Sequence, residues 1–377
     1  MNEKPKRVLF VATVVKTHIM PFHIPYLKML KEMGYETVVA ARNDYENPED
    51  CRIPYCDHYV DIPFQREPLR YENLRCYNKL KSIMDEGGFS IIHCHTPVGG
   101  VVGRLAAREA RKKGTRVIYT AHGFHFYKGA PIKNWLLFYP IEKLCSRFTD
   151  VLITINKEDY LLAQKKMKAK CAKYVPGVGV DLKKFSTSTV NKAAKRRELG
   201  IPEDAVVLLS VGELNNNKNH ETVIRAIADM AVYYIIAGKG DLQQHLQNII
   251  DTLGVHNRVK LLGYRYDVEE LYKAADIFAF PSFREGLPVA LMEAMAAGVP
   301  TVASRIRGNV DLIQDGIDGF LCDPDAEKSF ADHISILLSN DVLANSFSER
   351  GREKIKKYDI ENVLRAAQEV YKDVLDK

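Results

Sequence analysis

A chain of 377 residues is longer than one hydrophobic core of ordinary size serves, so two domains are expected. With 46% apolar and 27% charged residues it has the balance of a soluble globular protein, and no apolar run approaches the ~20 residues that cross a bilayer. The net charge of +6 is unevenly spread: residues 1–180 hold 29 Lys and Arg against 18 Asp and Glu, whereas residues 181–377 hold 25 against 30. A basic first half is suited to an anionic partner, either a membrane surface or a diphosphate-bearing lipid, unless it is merely a solvated basic face. No zinc pattern or aromatic-interleaved basic strand accompanies it, so nucleic acid is not expected. No secretory cleavage pattern follows Lys4, Lys6 and Arg7, and the seven cysteines form no C-x-x-C pair, so a cytoplasmic chain with reduced thiols is expected.

In chain order, apolar β-branched runs alternate with amphipathic stretches. Strands are predicted over 7–13, 36–41, 91–94, 116–120 and 151–154, with a helix over 21–34. Gly, Pro, Ser and Thr then break the rhythm across 176–190, which places the domain junction there. Strands resume at 206–211, 233–237, 258–262, 277–280, 301–303 and 319–321. The intervening helices are predicted over 218–230, 241–253 and 288–297, and two helices with a break near 358–359 close the chain. Such alternation implies parallel sheets covered on both faces, and ligands in such sheets sit beyond the carboxyl ends of the strands. Two domains are therefore expected to offer strand-end loops to one interdomain cleft: residues 1–180, to which the last helix (359–377) returns, and residues 181–358.

The segment Phe283-Arg284-Glu285-Gly286-Leu287-Pro288, continuing through Glu293 to Gly298, carries two carboxylates eight positions apart across the start of an apolar helix. Pro288 suits the first helical turn, so the backbone N–H groups at Gly286 and beyond form an anion site suited to a diphosphate. The bland alternative makes Glu285 a capping acid and Glu293 an exposed helix residue.

This segment resembles the E-x7-E signature of the family 4 glycosyltransferases, retaining enzymes of the GT-B fold. Ala237 to Asp241 (AGKGD), Val259–Gly263 with Tyr264 and Arg265, Gly177 to Asp181 with Phe185, and Asp315-Gly316 with Gly319 to Leu321 resemble further segments of the same family. The resemblance implies an α/β fold of two Rossmann-like domains and a nucleoside diphosphate sugar donor. It assigns Glu293 to the ribose hydroxyls, Glu285 to the donor sugar, and the Gly286 and Leu287 amides to the diphosphate. Arg265, beside Tyr264, would read the base through its backbone, and Gly238 would approach the nucleotide. In the loop Gly212-Glu213-Leu214-Asn215-Asn216-Asn217-Lys218, Lys218 would stabilise the leaving diphosphate. Glu213 stands where the family often has an Arg, so Lys218 acts with the helix N-terminus alone or with Arg284, Arg305 or Arg307.

In the first half, His122 of Thr120-Ala121-His122-Gly123-Phe124 matches the family's sugar-contacting histidine at a strand end; a satisfied structural histidine is the alternative. Lys16 and His18 follow the first strand where the family has a glycine-rich loop, and are assigned with His95 to the acceptor side. His93-Cys94-His95 alternates faces of a strand and does not ligate one ion easily, so strand-end packing with a cleft-lining His95 is expected. Asp323-Pro324-Asp325 is discounted as a metal motif, because GT-B enzymes hold the diphosphate with amides and cations. No metal and no further cofactor are expected beside the co-substrate, a UDP-sugar.

Residues 128–148 combine aromatic and basic side chains with the only Trp, and fit either a core-packed helix or an element facing the membrane. Together with the segments at 95–104 and 119–127, the resemblance points to bacterial enzymes that extend capsule, exopolysaccharide or O-antigen units on undecaprenyl diphosphate at the inner face of the cytoplasmic membrane. Two rivals remain, a UDP-N-acetylglucosamine 2-epimerase of the same fold and a non-catalytic sugar-nucleotide-binding protein. A dinucleotide-dependent oxidoreductase is disfavoured because no G-x-G-x-x-G follows the first strand.

Overall fold

The computed structural model describes residues 6–65, 70–186 and 190–376. The chain divides into two compact units, residues 1–178 with 361–377, and residues 179–360.

The first unit is built on a seven-stranded sheet of β1 (Arg7–Val14), β2 (Glu36–Arg42), β3 (His58–Asp61), β4 (Ile91–Cys94), β5 (Arg116–Ala121), β6 (Val151–Thr154) and β7 (Cys171–Tyr174). The strands run parallel in the order β3-β2-β1-β4-β5-β6-β7. Alternate residues of β1 feed opposite cores. Leu9 and Val11 pack on one face with Ile92, Val117 and Leu152, while Val8 and Phe10 pack on the other with Leu27, Leu30 and Ile118. The helix Ile360–Asp376 closes that second face. Its Val363, Ala367, Val370, Tyr371 and Val374, at positions i, i+4, i+7, i+8 and i+11, form the buried stripe an amphipathic helix needs.

Strands β3 and β7 are absent from the sequence-based reading. Both have four residues and lie at the two edges of the sheet, where half-exposed sequences such as His-Tyr-Val-Asp and Cys-Ala-Lys-Tyr carry no continuous apolar run. The helix expected over 21–34 is also corrected. A π-turn at Val15–Ile19 leads into Met20–Phe22, and a separate helix runs from Ile24 to Glu32. Pro25 lacks the N–H that would continue the ladder, so the helix divides at His23.

The second unit carries β8 (Val207–Val211), β9 (Tyr233–Ala237), β10 (Val259–Gly263), β11 (Ile277–Phe280), β12 (Thr301–Ser304) and β13 (Phe320–Cys322). All are parallel, in the order β10-β9-β8-β11-β12-β13. The helix expected over 218–230 is shorter, His220–Ala226, because the loop before it extends to Asn219, which adopts a left-handed φ of 54°.

In both sheets the chain order reverses beside the first strand, between β1 and β4 and between β8 and β11. The crevice beyond the strand ends at such a switch point is where open α/β sheets bind ligands. No described helix is long and apolar enough to cross a membrane.

Candidate active site

In the second unit, the loops after β8 and β11 meet at the switch point. Lys218 Nζ lies 2.7 Å from Glu285 Oε1 and 4.9 Å from the centre of the Phe280 ring. Both members of the pair are largely buried, which strengthens their attraction over that of an exposed pair. The loops are tied through backbone and amide groups: the Phe283 N–H donates to the Asn217 carbonyl at 2.8 Å, and Asn217 Nδ2 donates to the Arg284 carbonyl at 2.9 Å. Asn219 Nδ2 bridges the Pro281 and Pro324 carbonyls at 3.1 and 2.7 Å.

Two glycines make this approach possible. A Cβ on Gly238 would fall 1.8 Å from the Gly212 carbonyl oxygen, so the strand ends of β8 and β9 come together only through glycine. Gly308, at φ 83°, has its Cβ direction blocked 2.5 Å away by the Gly286 carbonyl oxygen.

Pro288 is not in the first helical turn. It is the N-cap, with φ −78° and ψ 121°, and the helix runs Val289–Ala297. The orphan amides of its first turn begin at Val289, and Gly286 and Leu287 lie in the loop that leads to them. Glu285 is no capping acid, since no side chain caps this helix. Its carboxylate is held by Lys218 instead.

Glu293 is not an exposed helix residue either. Tyr272, fully buried, donates from its hydroxyl to Glu293 Oε2 at 3.2 Å and to the Ala290 carbonyl at 2.8 Å. The Phe185 ring packs edge-on against Tyr272 at 5.9 Å. Burial raises the Glu293 pKa to about 6, against the opposing effect of the tyrosine hydrogen bond. Sequence reasoning missed Tyr272, because in sequence it is one more apolar position of the helix Val268–Ala274.

Of the cations considered as substitutes for the missing Arg, only Arg307 is bonded to the loop at Glu285. Its Nε donates to the Glu285 carbonyl at 3.1 Å. Arg305 is instead paired with Asp315 and donates to the Leu321 carbonyl at 3.0 Å, and Arg284 is exposed. Glu213 is exposed and accepts from Asn215 Nδ2 at 2.8 Å, while its carbonyl meets the buried His220 ring at 3.2 Å. The Arg265 side chain is occupied by Asp267 and by Glu198, the latter at 3.1 Å, and the neighbouring Tyr264 is exposed.

In the first unit, the loops after β1, β4 and β5 bring four histidines together. The His18 and His23 Nε2 atoms lie 3.1 Å apart, and His122 Nε2 lies 3.4 Å from His95 Nδ1. The His23 and His95 rings stack tilted at 4.1 Å, and His93 lies 4.0 Å on the far side of His95. His93 is anchored by Tyr371 at 2.5 Å and Thr120 at 2.8 Å. Cys94 points into the opposite core, as strand alternation requires.

Burial lowers the pKa of His18 to about 3 and that of His122 to about 4, and His18 is lowered further by the charge His122 would carry. The rings are therefore neutral near neutral pH. His95 does not line the surface: it is 1% exposed, beneath the half-buried His18 and His122. Its placement at the carboxyl end of a strand packed on both faces decides this. Lys16 is exposed, its Nζ 5.5 Å from the Tyr45 ring.

Two parallel-sheet Rossmann-like domains with these strand-end loops define the GT-B fold. The family described as "Glycosyl transferases group 1" matches residues 191–354, and that described as "Glycosyl transferase 4-like" matches residues 7–156. The chain is 38% identical to the putative glycosyltransferase EpsD of Bacillus subtilis, over 98% of this chain and 97% of that one. It is 30% identical to the Escherichia coli UDP-Gal:alpha-D-GlcNAc-diphosphoundecaprenol alpha-1,3-galactosyltransferase, over 75% of each chain. The crystal structure of Anabaena Alr3699/HepE in complex with UDP shares the fold, with a TM-score of 0.78 at 22% identity, covering 98% of this chain and 100% of that one. The chain belongs to the family 4 glycosyltransferases.

Proposed function

We propose that the chain transfers a sugar, with retention of anomeric configuration, from a UDP-sugar such as a UDP-N-acetylhexosamine to a saccharide carried on a polyprenyl diphosphate, in the synthesis of a surface polysaccharide. The observation that carries this reading is the Lys218–Glu285 pair at the approach to the helix Val289–Ala297, with Glu293 held by Tyr272 further along the same helix. A cation, loop amides and the positive end of a helix suit a diphosphate without a metal, and a fixed carboxylate acceptor suits ribose hydroxyls.

In this reading Lys218 balances the negative charge that grows on the leaving diphosphate, which the Gly286 and Leu287 amides also hold. Glu285 orients the donor sugar through its hydroxyls, and His122 has the role of a sugar-contacting histidine. The acceptor hydroxyl attacks the anomeric carbon on the face from which UDP departs. As the new C–O bond forms and the bond to phosphate breaks, the departing phosphate oxygen takes the acceptor's proton. The acceptor chemistry is supported by the E. coli relative, whose name specifies a diphosphoundecaprenol-linked sugar.

A membrane-facing role for the helix Ile132–Cys145 belongs to the same reading. Its Trp135, Phe138 and Tyr139 pack inward on the core, whereas Ile132 and Leu136 are 77% and 73% exposed and Leu137 and Leu144 about half so. Beyond its C-terminal end lies a recess of about 490 Å³ lined by Arg108, Arg111, Lys112, Arg116, Arg147 and Lys170, against Glu109 and Asp150. Exposed aliphatic side chains next to clustered cations suit an anionic bilayer surface.

The test is release of UDP across a panel of UDP-sugars, with and without a polyprenyl-diphosphate-linked sugar. Acceptor-dependent release with one donor is the expected result. Rapid epimer formation from a UDP-sugar alone, or tight nucleotide binding with no transfer to any acceptor, overturns the reading.

A further inference from the structure

The four-histidine cluster has a geometry that contact with a sugar hydroxyl does not require. His18, His23, His95 and His122 each offer one ring nitrogen, and the four nitrogens all lie within 4.8 Å of one another. Two nitrogen–nitrogen separations, 3.1 Å for His18 Nε2–His23 Nε2 and 3.4 Å for His95 Nδ1–His122 Nε2, match the edge of about 3.4 Å that a tetrahedron of nitrogens makes around a zinc ion at Zn–N bonds near 2.1 Å. Closing the widest separation to that edge asks each ring to move by less than about an ångström.

The hydrogen bonds the rings make do not use their full capacity. Among the described residues, the buried His23 Nδ1 and His95 Nε2, the second nitrogens of rings whose other nitrogen makes the 3.1 or 3.4 Å contact, have no partner. The backbone supports the set: His23 and His95 are buried in the unit, whereas His18 and His122 are only half-buried and leave a side from which an ion enters.

We propose that His18, His23, His95 and His122 form a binding site for one divalent transition-metal ion of the zinc class. An all-imidazole donor set selects Zn²⁺, Cu²⁺, Ni²⁺ or Co²⁺ and discriminates against Mg²⁺ and Ca²⁺, which prefer oxygen ligands. A consequence rests on the proposed function: an ion that takes the His122 lone pair withdraws it from the donor sugar, so the metal-bound form is inactive in transfer and a chelator restores it.

The experiment uses the full chain, stripped with a chelator and dialysed, titrated calorimetrically with ZnCl2 and with MgCl2, and loaded with Co²⁺ for visible absorption. One Zn²⁺ per chain at micromolar or tighter affinity, no Mg²⁺ binding, and a tetrahedral Co²⁺ absorption band are expected. His23→Gln and His95→Gln, with circular dichroism confirming the fold, each weaken Zn²⁺ binding at least tenfold, whereas His245→Gln on the surface of the second domain leaves it unchanged. Zn²⁺ binding that is absent, or that persists unaltered in both His23→Gln and His95→Gln, overturns the site. Nucleotide binding measured in excess chelator reports on the glycosyltransferase reading separately, so a failed metal site and a failed donor site give different results.

Discussion

The two switch-point crevices are built from opposite chemistry. In the second domain, a charged pair, Lys218–Glu285, sits among glycines that let backbone approach backbone, and the groups on offer are cations, carboxylates and amides. In the first domain, uncharged aromatic rings stack at strand ends, with His93 braced from below by Tyr371 of the returning C-terminal helix. The difference matches the roles proposed for the two crevices. A diphosphate needs fixed positive charge and donor N–H groups, whereas a sugar hydroxyl needs one well-oriented neutral acceptor or donor at little electrostatic cost.

That contrast predicts that nucleotide affinity tracks the second domain alone while turnover depends on both. The largest effect is expected for Lys218→Ala, which removes the cation paired with the Glu285 carboxylate. Turnover should fall by roughly 10²–10³, the usual scale for deleting a group that stabilises developing charge. Wild-type turnover in a steady-state UDP-release assay would remove Lys218 from the mechanism.

His122→Ala comes next, with turnover lowered by about 10–100-fold and UDP affinity unchanged by calorimetry. A matching loss of UDP affinity would break the division between the crevices.

Glu293→Gln should weaken UDP binding by about tenfold, with a smaller change in turnover per bound donor. Its pH behaviour sharpens the test. Burial raises the Glu293 pKa to about 6 from an ordinary value near 4.5, so the folded state resists ionising it. The stability associated with this group is then fully present below about pH 4.5 and is lost as the pH rises through about 6. The Gln variant should therefore melt a few degrees higher than the parent at pH 7.5, about 2–4 °C, and equally at pH 4.5. UDP affinity of the parent should weaken as the pH falls through about 6, and that of the variant should stay flat. A variant that melts lower than the parent at pH 7.5 would contradict the buried-carboxylate account.

Tyr272→Phe is expected to have the smallest effect, a loss of UDP affinity of about three- to tenfold with turnover at saturating donor retained. It leaves the ring packed against Phe185 and removes only the hydroxyl that orients Glu293. No change in affinity would mean that Glu293 is positioned by packing alone.

The sequence was most legible where function is written in adjacent residues. Glu285 through Pro300, the loop 212–218 and the glycines at 238 and 240 lie in short segments whose spacing already implies a helix start and close backbone approach, and the central strands of both sheets are continuous apolar runs. Edge strands β3 and β7 were hidden because half of each faces outward, so their composition resembles that of a loop.

What the sequence determined by itself is therefore the alternating α/β plan and the two carboxylates eight residues apart around a helix start, set by local periodicity and turn chemistry, while the donor-side roles are what the family resemblance implies. What only the tertiary structure decided is which distant groups meet. Tyr272 reaches Glu293 because two helices pack. Arg307, not Arg305, reaches the carbonyl of Glu285 because Arg305 is taken by Asp315. The four histidines converge because three parallel strands end at the same level of one sheet. Contacts between residues separated by tens to hundreds of positions depend on strand order and helix packing, which periodicity along the chain does not encode.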